Sequence, residues 1–429
     1  MSTNLKNAAI LLSKHLGDNW QGTTTAGGTV TTLIDTALLA KESDWIGDYA
    51  YCIIRSGTCD TQERKATALS SSTLTTLAYT AAIAASVQYE IHRLFSASDK
   101  NEALVHAAKA SFPWLHAKVY NQTKTAGNWL IDGDFENWAS STALTYWTAT
   151  TVAAAQESTI KQRGSYSLKI TGTAGYVGQS DTNNPDLLKL AGQEVTFKAK
   201  ARASVASSLR LAILSSTTLT YSDYHPGTSV WSDEDGENNL NDYLEVTATI
   251  ADNPSAVAFR VYEDVAASTC YVDDARVIGP SYDKVYVGDL SLAQNYPVQV
   301  YETRNDDVFK EPWIRLRDFS LDSDNYLHLP TATKDYQLRI IGTGYLDFLA
   351  ASVASTAWTA TIAVDEPQSW ILAAEAAVYL CNQRVLPNFD SNTTTRWEKA
   401  LAWWMNERQE RRNKFGMPTP NALVKRNEA

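Results

Sequence analysis

From Leu5 to Leu16, apolar residues fall at Leu5, Ala8, Ala9, Leu12 and Leu16, the spacing of one helical face, and Gly17 follows as a stop. Between Gly22 and Ile91 the period changes. Short runs rich in β-branched and aromatic residues, at 29–36, 49–56, 63–69, 73–77 and 88–92, are broken by turn residues such as Gly57 and Asp60. They predict strands of a small barrel or curled sheet, with a helical turn at 37–40. Ser96 and Asp99 make a capping-box start, and Ala103, Leu104, Ala107, Ala108 and Phe112 form the stripe of a second helix ending near Pro113. From Trp129 to Gly279 the chain reads as a complete β-sandwich, set off by the polar stretch 121–128 and by Gly279-Pro280. Further strands are predicted at 284–287, 297–304, 313–319, 326–329 and 336–343, where aromatic and β-branched residues alternate with polar ones. Helical spacing then recurs at Ile371, Ala374, Val378 and Cys381, with Pro367 at the first helical position and Pro387 beyond the end. A last helix starts at Thr395, with Glu398 completing a capping box, and carries Trp397, Leu401, Trp404 and Met405 up to Gly416 and Pro418.

These elements predict a multidomain α+β chain whose N- and C-terminal helices form a helical bundle core. The hub comprises 1–20 with 96–120 and, from the far end, 367–415. A small β-barrel (21–95), a jelly-roll sandwich (128–280) and a β-rich domain (281–366) are inserted into it, and 416–429 is an extended tail. No period of 20–50 residues repeats, which excludes a solenoid or propeller.

Composition refines this picture. The 429 residues are 44% hydrophobic, enough for real cores, and 20% charged, low for a surface left wholly to solvent. A net charge of -11 argues against gripping nucleic acid through its phosphates, although an acidic wall suits DNA that passes without being held. No cleavable signal or membrane-length apolar run is visible, so the expectation is a protein made in the cytoplasm with no membrane partner. Cys52, Cys59, Cys270 and Cys381 lack metal or redox spacing and are expected as buried free thiols.

Catalytic chemistry finds no foothold in the sequence. The run from Asp233 to Glu237 and the pair Asp306-Asp307 read as solvated turns, and no nucleophile, metal or phosphate motif is present. His225, between Tyr224 and Pro226, reads as a surface loop residue. The expectation is a protein that is not an enzyme.

The segments Leu130-Ile-Asp-Gly-Asp-Phe-Glu-Asn-Trp138, Gly164 to Ile170, Val195 to Ala201 and Cys270 to Ile278 resemble carbohydrate-binding jelly rolls of the family 4/9/22 type. Over about 150 residues, that resemblance implies a sandwich and a structural calcium on Glu136 and Asp273. The plainer alternative is that these carboxylates accept backbone hydrogen bonds. For a glycan, aromatic rings are needed to stack on pyranose faces; Trp147, Tyr176, Tyr221, Tyr224, Trp231 and Tyr243 are the candidates, with Asp223 and Asn239 as polar neighbours.

The ends of the chain, Gly22 to Asp35, Asp44-Trp45, Tyr89 to His92 and Trp397 to Pro418, resemble the head-to-tail adaptors of tailed bacteriophages. Such adaptors imply a dodecameric homo-oligomeric ring in the virion neck, docked to the portal protein and other neck or tail proteins, with double-stranded DNA passing through during ejection. Trp403 and Trp404 point about 100° apart on one helix, so a neighbouring chain is a natural cover for one of them. With Arg408, Arg411, Arg412 and Lys414 they form the expected portal or subunit interface. The sequence therefore predicts a virion adaptor assembled in the host cytoplasm. The alternatives are a tail-fibre or receptor-binding protein that uses the jelly roll on host glycans, and a glycan-binding accessory protein.

Overall fold

A computed structural model describes residues 2–40, 50–232, 243–266, 268–293, 299–303, 313–330, 335–350, 353–386 and 394–418. Asp44-Trp45, Asp233 to Glu237, Asn239, Asp306-Asp307 and the tail from 419 onward lie outside those residues. The chain divides into two compact units, one of Met1–Ala117 with Gly344–Thr419 and one built on Lys118–Thr343.

The first unit holds four helices: α1 (Leu5–His15), α2 (Ala97–Ala110), α3 (Ser369–Val385) and α4 (Thr394–Phe415). Asn4 caps α1 by accepting from Asn7 N, and Ser96 with Asp99 closes the capping box of α2. The helices share an apolar cluster that includes Leu12, Leu104, Leu372 and Trp404, joined by Leu346, Phe348 and Ile362 of a short β segment. A buried Lys100 ammonium lies 3.0 Å from Asp18, tying α2 to the end of α1. Beside this cluster, strands Trp20–Thr23, Gln88–His92, Tyr51–Ile54, Glu63–Ser70, Thr73–Thr76 and Thr32–Ile34 hydrogen-bond in that order. An Ala26–Ile34 bridge brings the two edges of this curled sheet toward closure.

The predicted fold class needs correction. By residue the chain is 39% strand and 20% helix, and it is not built on a helical bundle core. Four helices of 11, 14, 17 and 22 residues form one of four separate apolar clusters, and each β region buries its own branched and aromatic side chains. Two helix starts also move. Pro367 precedes the helix, which begins at Ser369, and α4 begins at Thr394, so residue 395 sits inside it.

The second unit is dominated by the sandwich. Its strands are β1 (Thr148–Glu157), β2 (Ser167–Ser180), β3 (Glu194–Ala203), β4 (Leu209–Ser215), β5 (Thr218–Tyr221), β6 (Leu244–Thr249), β7 (Val257–Glu263) and β8 (Thr269–Ile278). They pair antiparallel in the order β5-β4-β7-β2-β8-β3-β6, with β1 along β2. The long β2 serves both layers: Leu168–Thr171 pairs with β8, whereas Gly175–Ser180 pairs with β7. At the bend, β1 bulges between Thr150 and Val152. Between the layers, Leu168, Ile170, Phe197, Leu211, Phe259 and Val272 form the core, all fully buried. The first and last segments of the module meet, because Trp129 N donates to Val277 O at 3.1 Å and Asn128 Oδ1 accepts from Val277 N at 2.9 Å. A smaller apolar cluster, including Val300, Leu327, Leu338 and Ile340, fills the sheets that follow.

Candidate functional site

Strand β7 reads Val257-Ala-Phe-Arg-Val-Tyr-Glu263, and strand alternation turns Val257, Phe259 and Val261 into the core. Arg260 and Tyr262 therefore face outward, with Asp264 just past the strand end. The register lines up partners on three neighbouring strands: Tyr262 opposes Tyr176 of β2 and Arg210 of β4, and Ala212 of β4 opposes Tyr221 of β5. One outer face of the sandwich thus carries four tyrosines, two arginines and one carboxylate.

The rings are close enough to form a platform. Tyr176 and Tyr262 have centroids 5.2 Å apart, and Tyr221 and Tyr262 5.5 Å apart. The Arg210 guanidinium sits 3.8 Å from the Tyr221 centroid and 4.7 Å from that of Tyr224, and its Nε is 2.6 Å from Asp264. Tyr224 donates its hydroxyl to the same carboxylate at 2.8 Å. Arg260 lies 4.2 Å over Tyr176 and donates Nη1 to the Tyr262 hydroxyl at 3.1 Å. Beneath it the floor is small: a Cβ added at Gly178 would meet Arg260 Cγ at 3.0 Å. Tyr221 and Tyr224 are each 37% exposed, and Tyr176 and Tyr262 are half-buried. With the guanidinium groups over the tyrosine faces, this layer of rings, cations and one carboxylate presents flat surface and hydrogen-bonding groups that can meet the C–H face and hydroxyls of a pyranose.

Of the six predicted aromatic residues, Tyr176, Tyr221 and Tyr224 lie on this face. Trp147 is a core residue that packs 5.0 Å from Phe135 and donates Nε1 to Asp132 O. Trp231 is buried, and Tyr243 is buried with its hydroxyl on Asp274 at 2.9 Å and Lys198 and Lys200 over its ring. These three are corrected from ligand contacts to packing, since a large ring without an outward strand position goes into the core. Tyr262, Arg210, Arg260 and Asp264 were missed, although the alternation in Val257–Glu263 marks the outward pair on β7. His225 is likewise buried: it accepts from Gly227 N on Nδ1 and lies 3.2 Å from Val230 O, closing its own loop.

The carboxylates proposed for calcium serve a different purpose. Glu136 Oε1 accepts from Ser165 N and Tyr166 N, and Asp273 Oδ2 from Gln162 N and Arg163 N, so both clamp one loop from its two ends. These amides present hydrogens where calcium needs lone pairs, and no group of three His, Cys, Asp or Glu among the described residues fits a metal. The residues do not fit the ion. Burial pushes Asp273 up to about 8 and Glu136 up to about 7. Nearby, the buried Lys124 ammonium sits 3.1 Å from Asp134 and 2.6 Å from Asp289, a cation supplied by the chain itself.

In the first unit, Trp404 is buried and Trp403 is 55% exposed, their rings 4.6 Å apart. The basic row predicted beside them is turned inward. Arg408 and Arg412 pair with the buried Glu375 of α3, whereas Arg411 pairs with Glu407 at 2.7 Å and donates to Trp370 O. Lys414 lies 5.2 Å from the ring of Phe415. These arginines hold α4 to α3 and are not an open docking row.

No protein-family model matches the chain, and no curated protein sequence is similar to it. Among solved structures, it is similar to the enzymatically active domain of tailspike protein 4 of bacteriophage CBA120, at 10% identity and a TM-score of 0.27. That match covers 36% of this chain and 21% of the tailspike chain, about a fifth of its length. The CBM22-1 xylan-binding domain of Paenibacillus barcinonensis Xyn10C is 13% identical, with a TM-score of 0.25 over 38% of this chain and 97% of that one. The C-terminal family 22 module of Clostridium thermocellum Xyn10B is 16% identical, with a TM-score of 0.25 over 36% and 94%. At such identities and TM-scores, the chemistry of the face must be judged from its own residues.

Proposed function

We propose that this chain binds glycans through the outer β5-β4-β7-β2 face of its sandwich, as the recognition part of a tailed-phage virion protein. The observation that carries this reading is the platform of Tyr176, Tyr221, Tyr224 and Tyr262 interleaved with Arg210 and Arg260 and joined by Asp264. Its role is binding, with no bond made or broken. The test is retention of the full chain on a panel of immobilised polysaccharides, with Tyr262→Ala as the control. Retention of the unmutated protein and its loss in the variant support the reading. If the unmutated protein is retained by no glycan, the reading falls.

A second reading, the neck adaptor, keeps one observation in its favour: helices from both chain ends share a single apolar cluster. Native mass separates the two, since a ring of about a dozen copies supports the adaptor and a trimer supports a receptor-binding protein.

A further inference from the structure

The two arginines of the tyrosine face differ in one respect. Arg210 has its counter-charge in Asp264, 2.6 Å away. Arg260 has no carboxylate partner among the described residues, and its one hydrogen bond, from Nη1, goes to a neutral phenol. Nε and Nη2 have no acceptor among the described residues; Nε is buried, which leaves Nη2 as the unpaired donor that a ligand can reach. The cation also sits centrally, stacked on Tyr176 and bonded to Tyr262, so a sugar lying on those rings meets it directly.

We infer that the face selects acidic glycans, with Arg260 receiving the carboxylate of a uronate-type sugar on Nη2 while the tyrosine rings beside it hold the sugar. This rests on the glycan-binding reading above and narrows it. A carboxylate compensates the guanidinium charge through a charge-assisted hydrogen bond, whereas a neutral hydroxyl accepts one bond and leaves the charge uncompensated. An arginine without a counter-charge is also conspicuous on a chain of net charge -11, where carboxylates outnumber cations.

The experiment compares retention of the full chain on polygalacturonate, on neutral galactan and on a sulfated galactan, at low and at high salt. The expected result is strongest retention on polygalacturonate, weakening as salt rises, and at least a tenfold loss in Arg260→Gln. Arg260→Lys, which keeps the charge without the planar stack on Tyr176, should fall between the two. Preference for galactan, or for the sulfated polymer alone, overturns this inference and leaves the glycan-binding reading standing, as does an Arg260→Gln variant that binds like the unmutated protein. Retention on none of the three and on no other glycan overturns both.

Discussion

The two outer faces of the sandwich carry the same ingredients, tyrosine rings against cationic side chains, yet they are put to different uses. On the β8-β3-β6 side, Lys198, Lys200 and Arg276 crowd the ring of Tyr243 at 4.5, 4.2 and 5.2 Å. There Asp274 and Asp335 supply counter-charges: Arg276 meets both at 2.6 Å and Lys198 meets Asp335 at 2.5 Å. Tyr243 and Arg276 are buried as a result. On the β5-β4-β7-β2 side, the one carboxylate pairs with Arg210, Arg260 has no counter-charge among the described residues, and Tyr221 and Tyr224 stay exposed. A stack of tyrosine on arginine is thus not a ligand site in itself. What separates support from recognition is the balance of charge and the exposure left over.

The largest expected effect comes from breaking the closed face. Replacing Arg276 with Met removes the bidentate cation from the buried Asp274, leaving it Arg163 at 3.4 Å and the Tyr243 hydroxyl, and should lower stability by about 3 kcal/mol, read by urea denaturation. Next comes the pair Tyr243→Ala and Tyr262→Ala. The first should cost about 2 kcal/mol of stability and leave glycan retention within about twofold. Tyr262→Ala should weaken retention about tenfold, or about 1.4 kcal/mol, at a smaller cost in stability. The comparison fails if the two variants exchange phenotypes.

A weaker effect is expected with pH. Asp273 and Glu136 titrate near 8 and 7 in the folded chain but near 4 when unfolded, so the native state holds more protons between those values. Their contribution is complete below about pH 4 and lost as pH rises through 7 and 8. Calorimetry should therefore show the second unit melting a few degrees higher at pH 5.5 than at pH 8.5. The smallest effect expected is that of a chelator: with amides filling the carboxylates, EDTA should move the melting temperature by less than about 1 °C, and a larger fall would restore the calcium.

Much of the fold was legible because its signals are local. Capping residues Ser96 and Asp99, the helical stripe in α1 and the alternation in Val257–Glu263 each follow from spacing along the chain. The overall class was misjudged because helices announce themselves in one continuous stripe, whereas the β cores are shared among distant short runs. The same limit applied at the site. Tyr176, Tyr221 and Tyr224 stand out by residue type, but Arg210 and Tyr262 join them only through strand register. Trp147 and Trp231 drew attention by size, and size is what sends a ring to the interior.

The pairing of Trp129 with Val277 makes the sandwich a cassette. Its two ends leave side by side, at the spacing of adjacent strands, about 5 Å. A host chain can accept or lose such a segment at one backbone position without moving its own ends apart. Exchange of recognition specificity could then proceed by swapping the whole module, leaving the surrounding sequence to change at its own pace.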